Sequence, residues 1–237
     1  MTHSMHRRTL LAGLCALLPA RRALAAQSLR IGTIGAGHVG STLAGLWLHA
    51  GHPVMLSAND IASARAAAEA LGQNAQAGTP QDAARFGDVV LLAVPYGALP
   101  SLGASLRDLL AGKIVIDACN PYPWRDGEIA STAREQGAGI TTQSFFPGAH
   151  IVRAFNSEDM STIRAEAHRP PPLLGIPYAG DDPAAMRTVG TLIAEAGFDP
   201  VAVGPLAAAR LFQPGSDGFE ADLTAADLRT RLGLPRT

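Results

Sequence analysis

The sequence pattern in this chain that points most clearly to a chemical role lies at residues 35–40. They are Gly-Ala-Gly-His-Val-Gly, a G-x-G-x-x-G pattern that follows an apolar run and opens a helical pattern. In that context Gly35 permits a tight turn, Gly37 lets a pyrophosphate approach the backbone, and Gly40 lets helix and strand pack closely. The phosphates would bind N–H groups at the start of the helix. The pattern predicts a dinucleotide site, with a purely structural glycine turn as the alternative.

The segment after the second predicted strand bears on which dinucleotide is bound. An acidic residue there holds the ribose hydroxyls of NAD, whereas Arg with small polar residues accommodates the 2′-phosphate of NADP. Residues 57–60 are Ser-Ala-Asn-Asp, and Arg65 follows. Asp60 lies about 20 residues past the glycine motif, the spacing typical of a ribose ligand of NAD. It also stands where it could cap the next helix, and both interpretations are open.

The elements that must position these residues alternate between apolar runs and helical patterns. Such alternation is typical of a parallel sheet covered by helices on both faces. We therefore predict an α/β fold of the Rossmann type, a doubly wound, mostly parallel sheet in a single domain with a short C-terminal tail. The predicted strands are 28–34, 53–56, 88–94, 113–117, 151–155, 173–179 and 198–203. The predicted helices are 38–50, 61–71, a short one after the turn at 78–80, 99–110, 183–196 and 206–211.

The composition excludes several classes of protein. Hydrophobic residues make up 47% of the chain and charged residues 16%, enough apolar surface for a sizeable core. The net charge of −1 lacks the positive excess that is typical of proteins that bind nucleic acid. The histidines show no H-E-x-x-H spacing, so no metal site is predicted.

The first 26 residues have the features of an export signal. Arg7 and Arg8 precede the apolar run 9–18, and the small-x-small segment 23–25 suits signal peptidase. We therefore expect a twin-arginine-type signal peptide over 1–26 and a periplasmic protein without a membrane anchor. The alternative is a misassigned start and a cytoplasmic protein. Twin-arginine export carries folded proteins, so a cofactor bound in the cytoplasm could travel with its enzyme.

Several stretches together resemble one family. They are similar to the NADP-dependent reductases of the 8-hydroxy-5-deazaflavin coenzyme F420, and to the related NADP oxidoreductase domains fused to membrane ferric reductases. The resemblance covers most of 28–215, the predicted dinucleotide-binding oxidoreductase domain, and leaves 216–237 as the tail. The segments that carry it are 34–40, 88–95, 120–121, 152–156, 180–183 and 204–211.

The resemblance implies hydride transfer between a nicotinamide ring and a second planar redox partner. It assigns the phosphate loop to Gly35, Ala36, Gly37, His38, Val39 and Gly40. It places the 2′-phosphate of NADP at Ser57 and Asn59. The remaining cofactor contacts that it implies are Val94, Pro95, Asn120 and Pro121. The pocket for the second ring would be bordered by Ala154, Phe155 and Asn156. The family usually carries an arginine after the second strand, which this chain lacks, so NAD stays an alternative to NADP.

Further residues have both a functional and a structural interpretation. His150 is either a proton donor beside the nicotinamide or a hydrogen-bonded structural residue. Cys119 is either redox-active or a small buried hydrophobe. Tyr122 and Trp124 either wall the acceptor site or pack on the sheet. Arg153 and Arg210 each have two interpretations. They are either salt-bridged at a surface or in contact with an anionic acceptor.

We expect an NAD(P)H-dependent oxidoreductase that transfers hydride to a flavin, a deazaflavin or another small acceptor. Such a step depends mainly on proximity and orientation, so no catalytic acid or base is assigned. One alternative is a dinucleotide-binding protein without turnover, either a sensor or a partner subunit. Another is an imine reductase resembling pyrroline-5-carboxylate reductase, a family whose helical C-terminal dimerisation domain is longer than the segment after 215. A homodimer is a further expectation.

Overall fold

The computed structural model describes residues 28–72 and 74–235, and the predicted signal peptide, 1–26, lies outside them. Eight strands form one sheet in the order β3-β2-β1-β4-β5-β6-β7-β8. In chain order they are β1 (Ile31–Ile34), β2 (Val54–Ser57), β3 (Ala75–Gly78), β4 (Val89–Leu92), β5 (Ile114–Asp117), β6 (His150–Ala154), β7 (Gly175–Gly180) and β8 (Asp199–Gly204).

Helices connect these strands. They are α1 (His38–His49), α2 (Ile61–Leu71), α3 (Pro80–Phe86), α4 (Leu99–Leu110), α5 (Pro123–Asp126), α6 (Glu128–Gln136), α7 (Ala138–Phe145), α8 (Met160–Glu166), α9 (Pro183–Glu195) and α10 (Ala225–Arg231). Two 3-10 helices cover Tyr96–Ala98 and Leu206–Phe212. Among the described residues, no helix is long and apolar enough to cross a membrane.

The sheet changes winding direction between β1 and β4. Within the described chain its neighbouring strands are parallel, apart from the antiparallel pair β6 and β7. From β1 the chain adds β2 and β3 on one side, then crosses to β4 on the other. A crevice opens where such connections diverge, outside the carboxyl ends of the strands, and α/β proteins bind ligands there. The predicted α/β Rossmann-type fold is confirmed.

The core lies on both faces of the sheet. On one face Ile31 and Leu91 pack with Trp47 of α1, and on the other Leu92 packs with Leu106 of α4. All of these side chains are buried. Covering both faces explains why β1 and β4 are buried along their whole length, without alternation.

The strand β3 and the helices α6, α7 and α8 are among the elements that were not predicted from the sequence. The edge strand β3 has the sequence Ala-Gln-Ala-Gly and therefore lacks an apolar run. The helices α6, α7 and α8 are short, with nine, eight and seven residues. Residues 216–237, predicted as the tail, contain α10, and the tail is joined to β7 by the hydrogen bond from Gly175 N to Leu223 O, 2.9 Å.

Candidate functional site

The glycine loop lies between β1 and α1, at the edge of the crevice. Gly35 has a φ of +106°, and a Cβ there would lie 2.2 Å from the carbonyl oxygen of Ala93. A Cβ on Gly40 would lie 1.8 Å from the carbonyl oxygen of Gly35. The fold itself requires glycine at both positions, the first for the turn and the second for the packing of α1 against the loop.

Gly37 differs from both of these glycines. Its φ of −75° suits any residue, and a Cβ there would meet nothing within 4 Å. The packing of the described residues therefore does not require glycine at this position. The open space lies where a ligand would approach the backbone, so it fits the pyrophosphate role predicted for Gly37.

The start of α1 is also open to an anion. Gly37 is its N-cap and supplies no side-chain hydrogen bond. The first N–H groups of a helix lack partners within the helix and carry its positive dipole end. Five other helices are capped at this point by a side chain, from Asp60, Thr79, Asp159, Asp182 and Thr224, whereas α4, α5, α6 and α7 share the lack of such a cap with α1. The uncapped N-terminus of α1 and the space at Gly37 together fit a dinucleotide diphosphate.

The other predicted cofactor contacts lie at the same edge of the sheet. Val94 and Pro95 follow β4, and Val94 Cγ1 lies 3.0 Å from the position of a Cβ on Gly35. Asn120 and Pro121 follow β5, the next parallel strand. Parallel strands end on one side of a sheet, which brings these loops to the edge that carries the glycine loop.

The segment after β2 departs from the prediction. Ser57 is fully buried, and its hydroxyl donates to the carbonyl oxygen of Thr33, 3.0 Å away. The assignment of Ser57 to the 2′-phosphate is therefore wrong, because the side chain is enclosed within the sheet. Asp60 caps α2, accepting hydrogen bonds from Ser63 N and Oγ, both 2.8 Å, which lower the pKa of its carboxyl. Asn59 is exposed.

Two of the three residues predicted to border the acceptor pocket lie in the core. Ala154 and Phe155 are buried there, and the Phe155 ring makes edge contacts with Trp47 at 5.7 Å and Phe198 at 6.3 Å. The prediction that these two residues border the acceptor pocket is wrong for their side chains, because the core encloses them. Asn156 is also buried, but its polar side chain belongs to a hydrogen-bond network.

That network joins the ends of β5 and β6. Arg153 and Asp117 form an ion pair of 2.7 Å with both side chains fully buried. Arg153 Nη2 also donates to Asn120 Oδ1 at 3.0 Å, and Asn120 Nδ2 donates to the carbonyl oxygen of Asn156 at 2.7 Å. Asn156 Nδ2 donates to the carbonyl oxygen of Phe212 at 2.9 Å. The expectation that Arg153 lies at a surface is wrong, and the network fixes the position of Asn120.

His150 lies at the wrong end of its strand for a proton donor. It is the first residue of β6, whose opposite, carboxyl end faces the crevice, and its Nδ1 lies 3.5 Å from Asp182 Oδ2. The structural interpretation is therefore the correct one for His150. The exposed Arg210 donates to the carbonyl oxygen of Glu135 at 3.1 Å, in keeping with a structural role as well.

Cys119 is the small buried hydrophobe of the two alternatives. Its side chain lies in the core, and its Sγ donates to the carbonyl oxygen of Leu92 at 3.4 Å. Burial and the nearby carboxylate of Asp117 raise the pKa of the thiol well above its ordinary value. The nucleophilic thiolate is thereby suppressed.

Glu158 is an unusual carboxyl group that the sequence analysis missed. It lies two residues beyond Asn156, is 7% exposed, and its Oε2 has no hydrogen-bond partner within the described chain. Burial, together with the carboxylates of Asp222 and Glu220, raises its pKa to about 8. No local signal marks such a residue, because the acidic neighbours come from the distant C-terminal segment.

No cluster of three side chains that could hold a metal ion occurs in residues 28–72 and 74–235. The candidate site consists of the glycine loop, the open N-terminus of α1 and the loops after β4 and β5.

Comparison with known families shows what part of this site is similar to. Residues 30–121 match the family described as "NADP oxidoreductase coenzyme F420-dependent". These residues are similar in sequence to that family. The matched segment holds the glycine loop, β1 to β5 and Asn120-Pro121. The family resemblance predicted from the sequence is confirmed for residues 30–121.

One curated relative matches more of the chain than the family model does. The chain is 29% identical to the metalloreductase STEAP3 of Rattus norvegicus over 184 residues. This alignment covers 76% of this chain and 35% of that protein. The chain thus spans about a third of the length of this curated relative.

Two solved structures are similar in fold. The hypothetical protein SMa0349 of Sinorhizobium meliloti has a TM-score of 0.71 and 28% identity, over 83% of this chain and 95% of that one. A protein of Arthrobacter sp. FB24, provisionally described as an F420-dependent NADP-reductase, has a TM-score of 0.68 and 24% identity, over 77% and 88%.

Proposed function

We propose that the protein binds NADPH in the crevice between β1 and β4 and transfers its hydride to a flavin, a deazaflavin or another small acceptor. The observation that supports this proposal best is the open space beside Gly37, next to the N-terminus of α1, which has no capping side chain. The family match of residues 30–121 favours NADP as the dinucleotide. When bound, the nicotinamide supplies the hydride.

The chain's own residues bind and orient the cofactor in this proposal. The N–H groups at the start of α1 bind the diphosphate, and Gly37 admits it without contact from a side chain. Exposed Asn59 is the residue after β2 that is free to reach the 2′-phosphate. Asn120, fixed by Arg153 and Asn156, shapes the nicotinamide end of the crevice. Correct placement of two rings is the main requirement for hydride transfer, so a strong acid or base is not needed.

Direct nucleotide binding tests the proposal. Protein purified without added nucleotide is titrated with NADPH and with NADH, followed by cofactor fluorescence. NADPH oxidation is then recorded with riboflavin, FMN and deazaflavin as acceptors. We expect NADPH to bind more tightly than NADH and at least one acceptor to be reduced. If a folded protein bound neither nucleotide, the oxidoreductase proposal would fall. Binding without turnover on any acceptor would favour the alternative of a sensor or partner subunit.

We further propose that residues 1–26 direct the folded protein to the periplasm with its cofactor already bound. The support is the Arg7-Arg8 pair before a short apolar run, together with a cofactor that is made in the cytoplasm. The test is the bound nucleotide itself. Mass spectrometry of ligand released from periplasmic protein should detect NADP, and an empty periplasmic protein would contradict cofactor loading before export.

A further inference from the structure

Trp124 is the most exposed large apolar side chain of the described residues. It is 82% exposed, on the short helix α5 that follows β5. Its ring is stacked on Tyr122, with the ring centroids 5.9 Å apart and an angle of 28° between the planes. Arg125 lies over the same tyrosine, 5.2 Å from the ring centroid. Tryptophan and tyrosine side chains are enriched at interaction surfaces, because one end of the ring is apolar and the other can hydrogen-bond.

The loop that presents Trp124 is held in one conformation. The carboxylate of Asp126, whose side chain is only 2% exposed, accepts hydrogen bonds from Tyr122 N at 3.0 Å and Gly97 N at 3.1 Å. Arg125 binds the same carboxylate through Nε and Nη2, at 2.9 and 2.8 Å. Burial raises the pKa of the Asp126 carboxyl, but these bonds and the charge of Arg125 together outweigh it and lower the pKa below its ordinary value. The indole is therefore preorganised, which reduces the entropy lost when a ligand stacks on it.

The loop is continuous with the crevice proposed for the nicotinamide. Gly97 belongs to the connection after β4, so Asp126 ties together the loops that follow β4 and β5. Arg125 Nη2 donates to the carbonyl oxygen of Asn120 at 2.8 Å. Asn120 is the residue expected beside the nicotinamide. Exposed Trp124 and partly buried Tyr122 thus stand at the nicotinamide end of the crevice.

We propose that Tyr122 and Trp124 form an aromatic platform that binds the planar hydride acceptor by stacking, with Trp124 setting the preference for a flat, fused-ring substrate. This inference rests on the proposed function. It replaces Ala154 and Phe155, which are buried in the core, as the recognition surface for the second ring. A fused aromatic system of the flavin type matches the indole in shape and buries apolar surface on both rings.

The two tryptophans of the chain allow the platform to be tested directly. Trp47 is fully buried and Trp124 exposed, so the emission that is lost in Trp124→Phe belongs to Trp124. Riboflavin is titrated into both proteins in the presence of NADP, and quenching is recorded. Steady-state NADPH oxidation with riboflavin is then measured for wild type, Trp124→Phe and Trp124→Ala. Ile140→Ala, a partly exposed apolar residue on α7, is the matched control.

We expect riboflavin to quench the emission of Trp124. We expect Trp124→Ala to raise the KM for riboflavin roughly 5- to 150-fold, the range for stacking of one ring on an aromatic side chain. Trp124→Phe should retain most of the affinity, and the Kd for NADPH should stay unchanged in both variants. Ile140→Ala should behave as wild type.

Three results would overturn the platform. These are an unchanged KM in Trp124→Ala, an absence of quenching in the wild type, and a change of oligomeric state in Trp124→Ala in place of a change in KM. The last would assign the indole to an interface between copies of the chain. Failure of the wild type to bind NADPH would instead overturn the proposed function, so the two ideas fail separately.

Discussion

Gly37 and Gly40 belong to one motif, but the structure assigns them different tasks. A Cβ at Gly37 would meet nothing, whereas a Cβ at Gly40 would lie 1.8 Å from the carbonyl oxygen of Gly35. We therefore predict that Gly37→Ala folds normally and binds NADPH poorly, while Gly40→Ala is destabilised. Gly45→Ala in the middle of α1 is the control, since its Cβ would meet only the flexible end of Leu71 at 3.2 Å.

The expected magnitudes follow from these contacts. At Gly37 the φ of −75° suits alanine, so the free energy of unfolding should change by less than about 1 kcal/mol. The added methyl group displaces the diphosphate and weakens at least one charge-assisted hydrogen bond, worth about 1.5–3 kcal/mol, or roughly 10- to 150-fold in Kd. At Gly40 the backbone clash should cost about 3 kcal/mol, which lowers the Tm by roughly 6–12 °C.

Fluorescence titration with NADPH and thermal unfolding measure the two effects on the same samples. Gly45→Ala should keep both the affinity and the Tm close to wild type. The reasoning is refuted if Gly37→Ala binds NADPH with wild-type affinity, because the open space would then not be the cradle of the diphosphate. A Gly40→Ala protein with unchanged Tm would equally contradict the packing argument.

Three further predictions concern residues outside the loop. The folded-state pKa of Glu158, about 8, lies above its ordinary value of 4.5, so its contribution to stability is complete below pH 4.5 and is lost as the pH rises to about 8. Glu158→Gln should therefore have a Tm that depends less on pH, and at pH 8 it should be more stable than the wild type by on the order of 1–4 kcal/mol. If the Tm–pH curves of the two proteins are parallel, burial of Glu158 is not the cause of the pH dependence. Arg153→Met leaves Asp117 as an uncompensated buried charge and should lower the free energy of unfolding by about 3–5 kcal/mol in urea melts, whereas Arg153→Met with Asp117→Leu should recover most of the loss. Replacing Arg7 and Arg8 by lysine should leave the protein in the cytoplasmic fraction of a cell-fractionation assay, and unchanged export would contradict the twin-arginine assignment.

The parts of the fold that are specified locally could be predicted from the sequence. The apolar runs of β1 and β4 and the helix limits of α2 and α4 depend on neighbouring residues, and these elements occur as predicted. The glycine motif is also local, because its turn, its close approach and its helix start lie within six residues. The weak elements had no such signal: β3 is a short edge strand, and α6 to α8 are short helices that tertiary packing stabilises.

The details of the site depend on contacts between residues that are distant in the chain. Ser57 lies in a segment that would suit a phosphate ligand, but its hydroxyl donates a hydrogen bond to a carbonyl oxygen of the neighbouring strand β1. Phe155 follows β6, in the segment 152–156 that resembles the family, but its ring packs against Trp47 and Phe198. The sequence alone determined that a dinucleotide loop opens a Rossmann-type sheet. Only the tertiary structure decided which side chains at its edge face the crevice, because burial and hydrogen-bond partners are set by strands and loops that meet only after folding.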